Sequence, residues 1–135
     1  MTKLMVDTSA YAAFKRGHPE TKSQIRKAAA ILIPTVVLGE LLAGFEAGNR
    51  RETNRSELTE FLNNARVSVA PVLESTAERY ARIYAYLRKH GRPIPTNDLW
   101  IAASTMEHSA VLLTADAHFL HLPQILVQHI SSNEA

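Results

Sequence analysis

Five short apolar runs, "LMV" at 4–6, "ILI" at 31–33, "VSV" at 67–69, "VLL" at 111–113 and "ILV" at 125–127, are separated by longer stretches of helical periodicity. Runs this short and this rich in β-branched residues suit strands buried on both faces, whereas the intervening segments repeat their apolar residues at helical intervals. The segments at 35–48, 52–64, 75–91 and 96–108 read as helices, the first opened by Thr35 and the third capped by Ser75 and stopped by Gly91. Strands alternating with helices require parallel crossovers. The pattern therefore predicts an α/β, doubly wound sandwich with a mostly parallel central sheet and helices on both faces, in which ligands bind beyond the carboxyl ends of the strands.

The length of 135 residues accommodates one domain over 1–135, with "SSNEA" at 131–135 as a free tail. No internal repeat or linker interrupts it. The chain has 0 Cys, which excludes disulfides, thiolate metal sites and a cysteine nucleophile, and suits a reducing compartment. The apolar run after Met1 ends at Asp7, too early for a signal peptide, and no run reaches membrane-spanning length. A cytoplasmic protein is expected.

Four acids stand out against this frame. Asp7 directly follows the first strand and Asp116 follows "VLLT", so both fall at carboxyl ends of parallel strands. Glu40 shares a helical stripe with Val36, Val37, Ala43 and Gly44, and Asp98 heads one through Ile101, Ala102 and Thr105. Both face apolar neighbours. A carboxylate that loses its hydration without a partner is destabilised by several kcal/mol or more. No Lys or Arg lies between Lys27 and Arg50 or after Arg92, so Glu40, Asp98 and Asp116 lack a cation at helical pairing distance. A shared divalent metal is the economical partner, and oxygen-only ligation suits Mg²⁺ or Mn²⁺, which leave positions open for phosphate oxygens.

Each acid also has an ordinary structural reading. Asp98 could serve the helix dipole with Thr96 or Asn97 as cap, and Asp7 and Asp116 could be turn or cap residues. Glu40 is the hardest to explain this way, because a mid-helix acid among Val, Leu and Ala has no capping role. A shared site accounts for all four at once. Setting those four aside leaves 15 basic against 9 acidic residues, a surface suited to a polyanion. Candidate phosphate tracks are Lys15, Arg16, Lys22, Arg26 and Lys27, and Arg50, Arg51 and Arg55. The region of Tyr80, Tyr84 and Lys89 reads as core and dimer surface. His118 and His121 lack further metal ligands at zinc spacing and read as loop or surface residues.

In "MVDTSAY", "IPTVVLGELLAG", "NDLWIAA" and "LLTADAHF", taken in this order and spacing, the chain resembles the PIN-domain ribonucleases, and among them the VapC-type toxins of toxin–antitoxin pairs. The resemblance covers nearly the whole length. It implies a PIN-like fold, Mg²⁺ or Mn²⁺ dependence, homodimerisation, and assembly with a cognate antitoxin into a hetero-oligomer. It carries the family's acidic quartet onto Asp7, Glu40, Asp98 and Asp116, with Ser9 and Thr114 as hydroxyl helpers. The implied reaction is hydrolysis of RNA phosphodiester bonds, with water attacking in line and the ribose 3′ oxygen leaving. Asp7, Asp98 and Asp116 are expected as direct ligands and Glu40 as a ligand through water or a nucleophile-positioning group. The alternative is a non-catalytic module of the same fold that binds RNA or a protein partner. A haloacid-dehalogenase-like phosphatase needs a second acid where this chain has Ser9.

Overall fold

The computed structural model describes residues 2–131; of the expected tail, everything beyond Ser131 lies outside the described residues. Five strands, β1 (Lys3–Val6), β2 (Ala30–Pro34), β3 (Val67–Ala70), β4 (Val111–Thr114) and β5 (Leu126–His129), form a single sheet in the order β3-β2-β1-β4-β5. Every pairing is parallel. Six helices connect them: α1 (Thr8–Lys15), α2 (Pro19–Lys27), α3 (Thr35–Ala47), α4 (Arg51–Leu62), α5 (Glu74–His90) and α6 (Thr96–Glu107). None is long and apolar enough to cross a membrane among the described residues.

The strand order places the site. From β1 the chain winds outward through β2 to β3, then returns to the other side of β1 for β4 and β5. Crossovers between parallel strands are right-handed, so the connections made before and after this reversal lie on opposite faces and leave a crevice at the carboxyl ends of β1 and β4. On one face α1 meets α4 through Tyr11 and Phe61, whose ring centroids lie 5.3 Å apart; α5 packs along α6 with Tyr80 and Trp100 at 4.2 Å. Leu4, Met5 and Val6 are buried together with Leu112, Leu113 and Thr114, which is why these two strands read as unbroken apolar runs.

Helix ends differ from the expected caps. Thr35 is the first residue of α3 after Pro34, and its hydroxyl donates to the Ala70 carbonyl at 3.3 Å instead of capping. α5 begins at Glu74; Thr76 caps it by accepting from the Leu73 amide at 3.0 Å, while Ser75 donates to Glu107 across the gap to α6. Gly91 ends α5 in the left-handed region at φ 65°, as a stop glycine should. Helices α1 and α2 had no distinct apolar stripe in the sequence. α1 is built on alanines, and α2 buries only Thr21 and Ile25. The carbonyls at the end of α2 are met from a distance: the Arg66 guanidinium reaches those of Ile25 at 3.0 Å and Ala28 at 2.7 Å.

Two leucines on adjacent strands test the layering. Leu112 in β4 is fully buried, whereas Leu126 in β5 is 68% exposed. Leu112→Ala is expected to lower unfolding free energy by about 2–5 kcal/mol in urea denaturation, and Leu126→Ala by no more than about 0.5 kcal/mol.

Candidate active site

Asp7 sits where β1 ends and α1 begins. Its position as N-cap turns the carboxylate back onto the first turn, so Oδ1 accepts from the Ala10 amide at 2.8 Å and the Ser9 hydroxyl at 2.7 Å. Oδ2 accepts from the Thr114 hydroxyl at the end of β4, at 2.5 Å. Thr114 in turn accepts from the Asp116 amide at 3.0 Å, and Ser9 accepts from the Ala115 amide at 2.9 Å. The two hydroxyl residues thus join the ends of the central strands through one carboxylate. Asp7 is only 4% exposed. Burial pushes its carboxyl up from the ordinary aspartate value; the bonds from Thr114, Ala10 and Ser9 pull it back, and the negative charge of Asp98 raises it further.

Asp98 and Asp116 approach from other elements. Asp98 lies in the first turn of α6, half-buried, with Ile101, Ala102 and Thr105 buried behind it as the helical stripe required. Asp116 caps a short 3₁₀ turn (Ala117–His121), its Oδ1 accepting from the His118 amide at 3.5 Å. The His118 ring folds back into the cleft, placing Nε2 2.6 Å from Asp98 Oδ2 and 2.8 Å from Asp116 Oδ2. This corrects the expectation of a peripheral histidine. His121 is exposed and accepts from the Arg92 guanidinium at 3.1 Å.

Glu40 also departs from its expected setting. The stripe that suggested a buried face is not continuous: Ala43 and Gly44 are exposed and Glu40 is half-buried. Its partners are polar, with Thr8 donating to Oε1 at 2.6 Å and the Asn97 amide donating to Oε2 at 3.1 Å. Thr8 was not singled out from sequence, and Asn97 was considered only as a helix cap, a role it does not take, although each lies beside one of the four acids.

The electrostatics tie these groups together. Burial raises the Asp98 carboxyl above its ordinary value and the nearby charges of Asp116 and Glu40 add to the rise, while His118 acts against it by hydrogen bonding and charge. Among the described residues, the ion pairs made by the four acids are with His118, and none is with Lys or Arg. Asp98, Asp116 and His118 each offer a ligand atom within 4.8 Å of the others. Asp7 lies outside that compact set, its oxygens occupied by hydroxyl and amide donors. Carboxylates gathered with a histidine but without a Lys or Arg partner fit a divalent cation, which would supply the positive charge that Lys and Arg do not.

Comparison with known proteins points to one family. The PIN domain family matches residues 4–125. A ribonuclease VapC1 of Rickettsia felis is 31% identical over 134 residues, covering 97% of this chain and 98% of the relative. Ribonuclease VapC5 of Mycobacterium tuberculosis is 29% identical over 118 residues, covering 87% and 86%. The crystal structure of VapBC2 from Rickettsia felis bound to a promoter DNA fragment contains a chain that superposes with a TM-score of 0.84 at 25% identity, covering 95% of this chain and 98% of that one.

The raised Asp98 carboxyl has a consequence for stability. A carboxyl whose folded value exceeds its unfolded value binds more protons when folded, so stability falls as pH rises from the ordinary 3.8 through the raised value and stays reduced above it. In chelator at neutral pH, Asp98→Asn is expected to melt at or above the parent temperature, with the difference closing at acid pH. A residue serving only the helix dipole would instead lose about 0.3–1 kcal/mol on substitution.

Proposed function

The chain belongs to the VapC ribonucleases of the PIN-domain family, and on that premise we propose that it is the toxin of a toxin–antitoxin pair, an endoribonuclease using Mg²⁺ or Mn²⁺ held among Asp98, Asp116, Asp7 and Glu40. The observation that carries this reading is the convergence of carboxylates with no Lys or Arg partner at the crevice where the strand order reverses. With a divalent metal held there, the site would gain activation of a water molecule and neutralisation of charge on a scissile phosphate. The protein's own groups have separate tasks. Ser9 and Thr114 hold the Asp7 carboxylate in one orientation. Thr8 and Asn97 fix the two oxygens of Glu40, the group we assign to ligation through water or to placing the nucleophile.

RNA as substrate is supported by the excess of basic residues outside the cleft, with the clusters around Lys15 to Lys27 and Arg50 to Arg55 as candidate tracks. The Rickettsia felis VapBC2 crystal structure, in which the matching chain is part of a VapBC complex on promoter DNA, supports assembly with an antitoxin. Homodimerisation and one domain spanning 1–135 belong to the same proposal. For the dimer, Tyr84 offers an exposed aromatic edge beside Tyr80, their centroids 6.4 Å apart. A cytoplasmic location, which the 0 Cys of the chain suit, belongs to the same proposal.

Purified protein is expected to cleave structured RNA with Mg²⁺ or Mn²⁺ and to stop in excess chelator. Persistence in chelator would contradict the metal mechanism, and binding without cleavage under all metal conditions would favour a non-catalytic module. Asp7→Asn is expected to lower cleavage by at least about a hundredfold, the scale of a lost preorganised electrostatic group, and to relieve growth arrest on expression without loss of soluble protein.

A further inference from the structure

His118 occupies a position that hydrogen bonding alone explains poorly. Its Nε2 lies 2.6 Å from one carboxylate oxygen and 2.8 Å from another. A ring nitrogen carries a single proton, which can point along one of those directions only. The two oxygens therefore converge on a nitrogen that can satisfy one of them well. Cis ligands about 2.1 Å from an octahedral ion stand about 3 Å apart, so the observed spacings are close to those of donors around one cation.

The ring is held in that place by local structure. Asp116 caps the turn that carries His118, with Oδ1 on the His118 amide and Oδ2 beside the ring nitrogen. The ring also meets Phe119 edge-on at 5.4 Å, and Phe119 is fully buried. The i, i+2 spacing of Asp116 and His118 thus directs both side chains to the same point, opposite Asp98 at the start of α6.

We propose that His118 is a ligand of the metal centre, contributing an imidazole nitrogen beside Asp98 and Asp116, and that it biases this site toward Mn²⁺ over Mg²⁺. The inference rests on the reading of the acidic cleft as a metal centre and adds to it a nitrogen donor. Mg²⁺ prefers an all-oxygen environment and gives up water reluctantly, whereas imidazole is a good ligand for first-row transition ions. One nitrogen among carboxylates therefore favours Mn²⁺ without abolishing Mg²⁺ binding.

Metal binding to the full-length chain without RNA tests this independently of catalysis. Pulsed EPR of the Mn²⁺-loaded parent is expected to show nitrogen modulation from a coordinated imidazole. His118→Gln should still bind Mn²⁺ but lose that modulation. Calorimetry with Mn²⁺ and Mg²⁺ should show the Mn²⁺ affinity of His118→Gln reduced about tenfold or more, the scale seen when groups supporting a metal ligand are removed, with the Mg²⁺ affinity changed much less. Mn²⁺ bound to the parent without nitrogen modulation, modulation that persists in His118→Gln, or an equal loss of both affinities would overturn the assignment of His118 while leaving the acidic metal centre standing. Failure of the parent to bind either ion would overturn both.

Discussion

The Asp7 carboxylate is the interaction on which the cleft depends. It lies between the ends of two adjacent parallel strands, where the winding of the sheet reverses and no strand continues to fill the gap. One side chain does three things there. It caps α1, it takes the Ser9 hydroxyl, and through Thr114 it is bound to the end of β4. Because Thr114 and Ser9 also receive the amides of Asp116 and Ala115, the chain leaving β4 is held in the direction that brings Asp116 over the crevice. An aspartate at this point is thus both a structural tie and a candidate member of the metal centre, and the ordinary and functional readings of its sequence position describe the same geometry.

That dual role comes with an electrostatic penalty. Three donors do not offset the burial of Asp7, whose carboxyl remains raised, and Asp98 is raised by burial with Asp116 and Glu40 adding to it. The metal-free cleft is a place where the folded state holds negative charge unfavourably. Such arrangements are characteristic of functional sites, where stability is lower than the packing would allow and is regained when the missing charge arrives. At Asp98 the His118 ring acts against that rise by hydrogen bonding and charge, and the same nitrogen lies 2.8 Å from Asp116.

Much of the architecture was legible because parallel strands buried on both faces must be apolar throughout. All five strands fall within a residue or two of the runs seen in the sequence, and four of the six helices follow their periodicity. Helices α1 and α2 were missed for a physical reason. Alanines carry little periodic contrast, and a helix that buries one threonine and one isoleucine has almost no apolar face to detect. At the site, the stripe behind Asp98 was legible in the sequence and is buried, and the hydroxyls of Ser9 and Thr114, which only the family resemblance pointed to, bond to Asp7. Glu40 was singled out on a stripe that does not persist, since α3 leaves Ala43 and Gly44 exposed. His118 could not be found by metal-ligand spacing, because its partner Asp98 is 20 residues away and its approach to Asp116 depends on a capped 3₁₀ turn. A histidine two residues after an acid at a strand end is the signal that was available.

Carboxyl-carbon NMR of the labelled protein, titrated with and without Mg²⁺, tests the central claim most directly. The account predicts that in chelator the Asp7 and Asp98 carboxyls titrate above the ordinary aspartate value of 3.8, and that saturating Mg²⁺ drives both downward as the cation takes up the charge they share. Ordinary titration of both residues, unchanged by Mg²⁺, would contradict it.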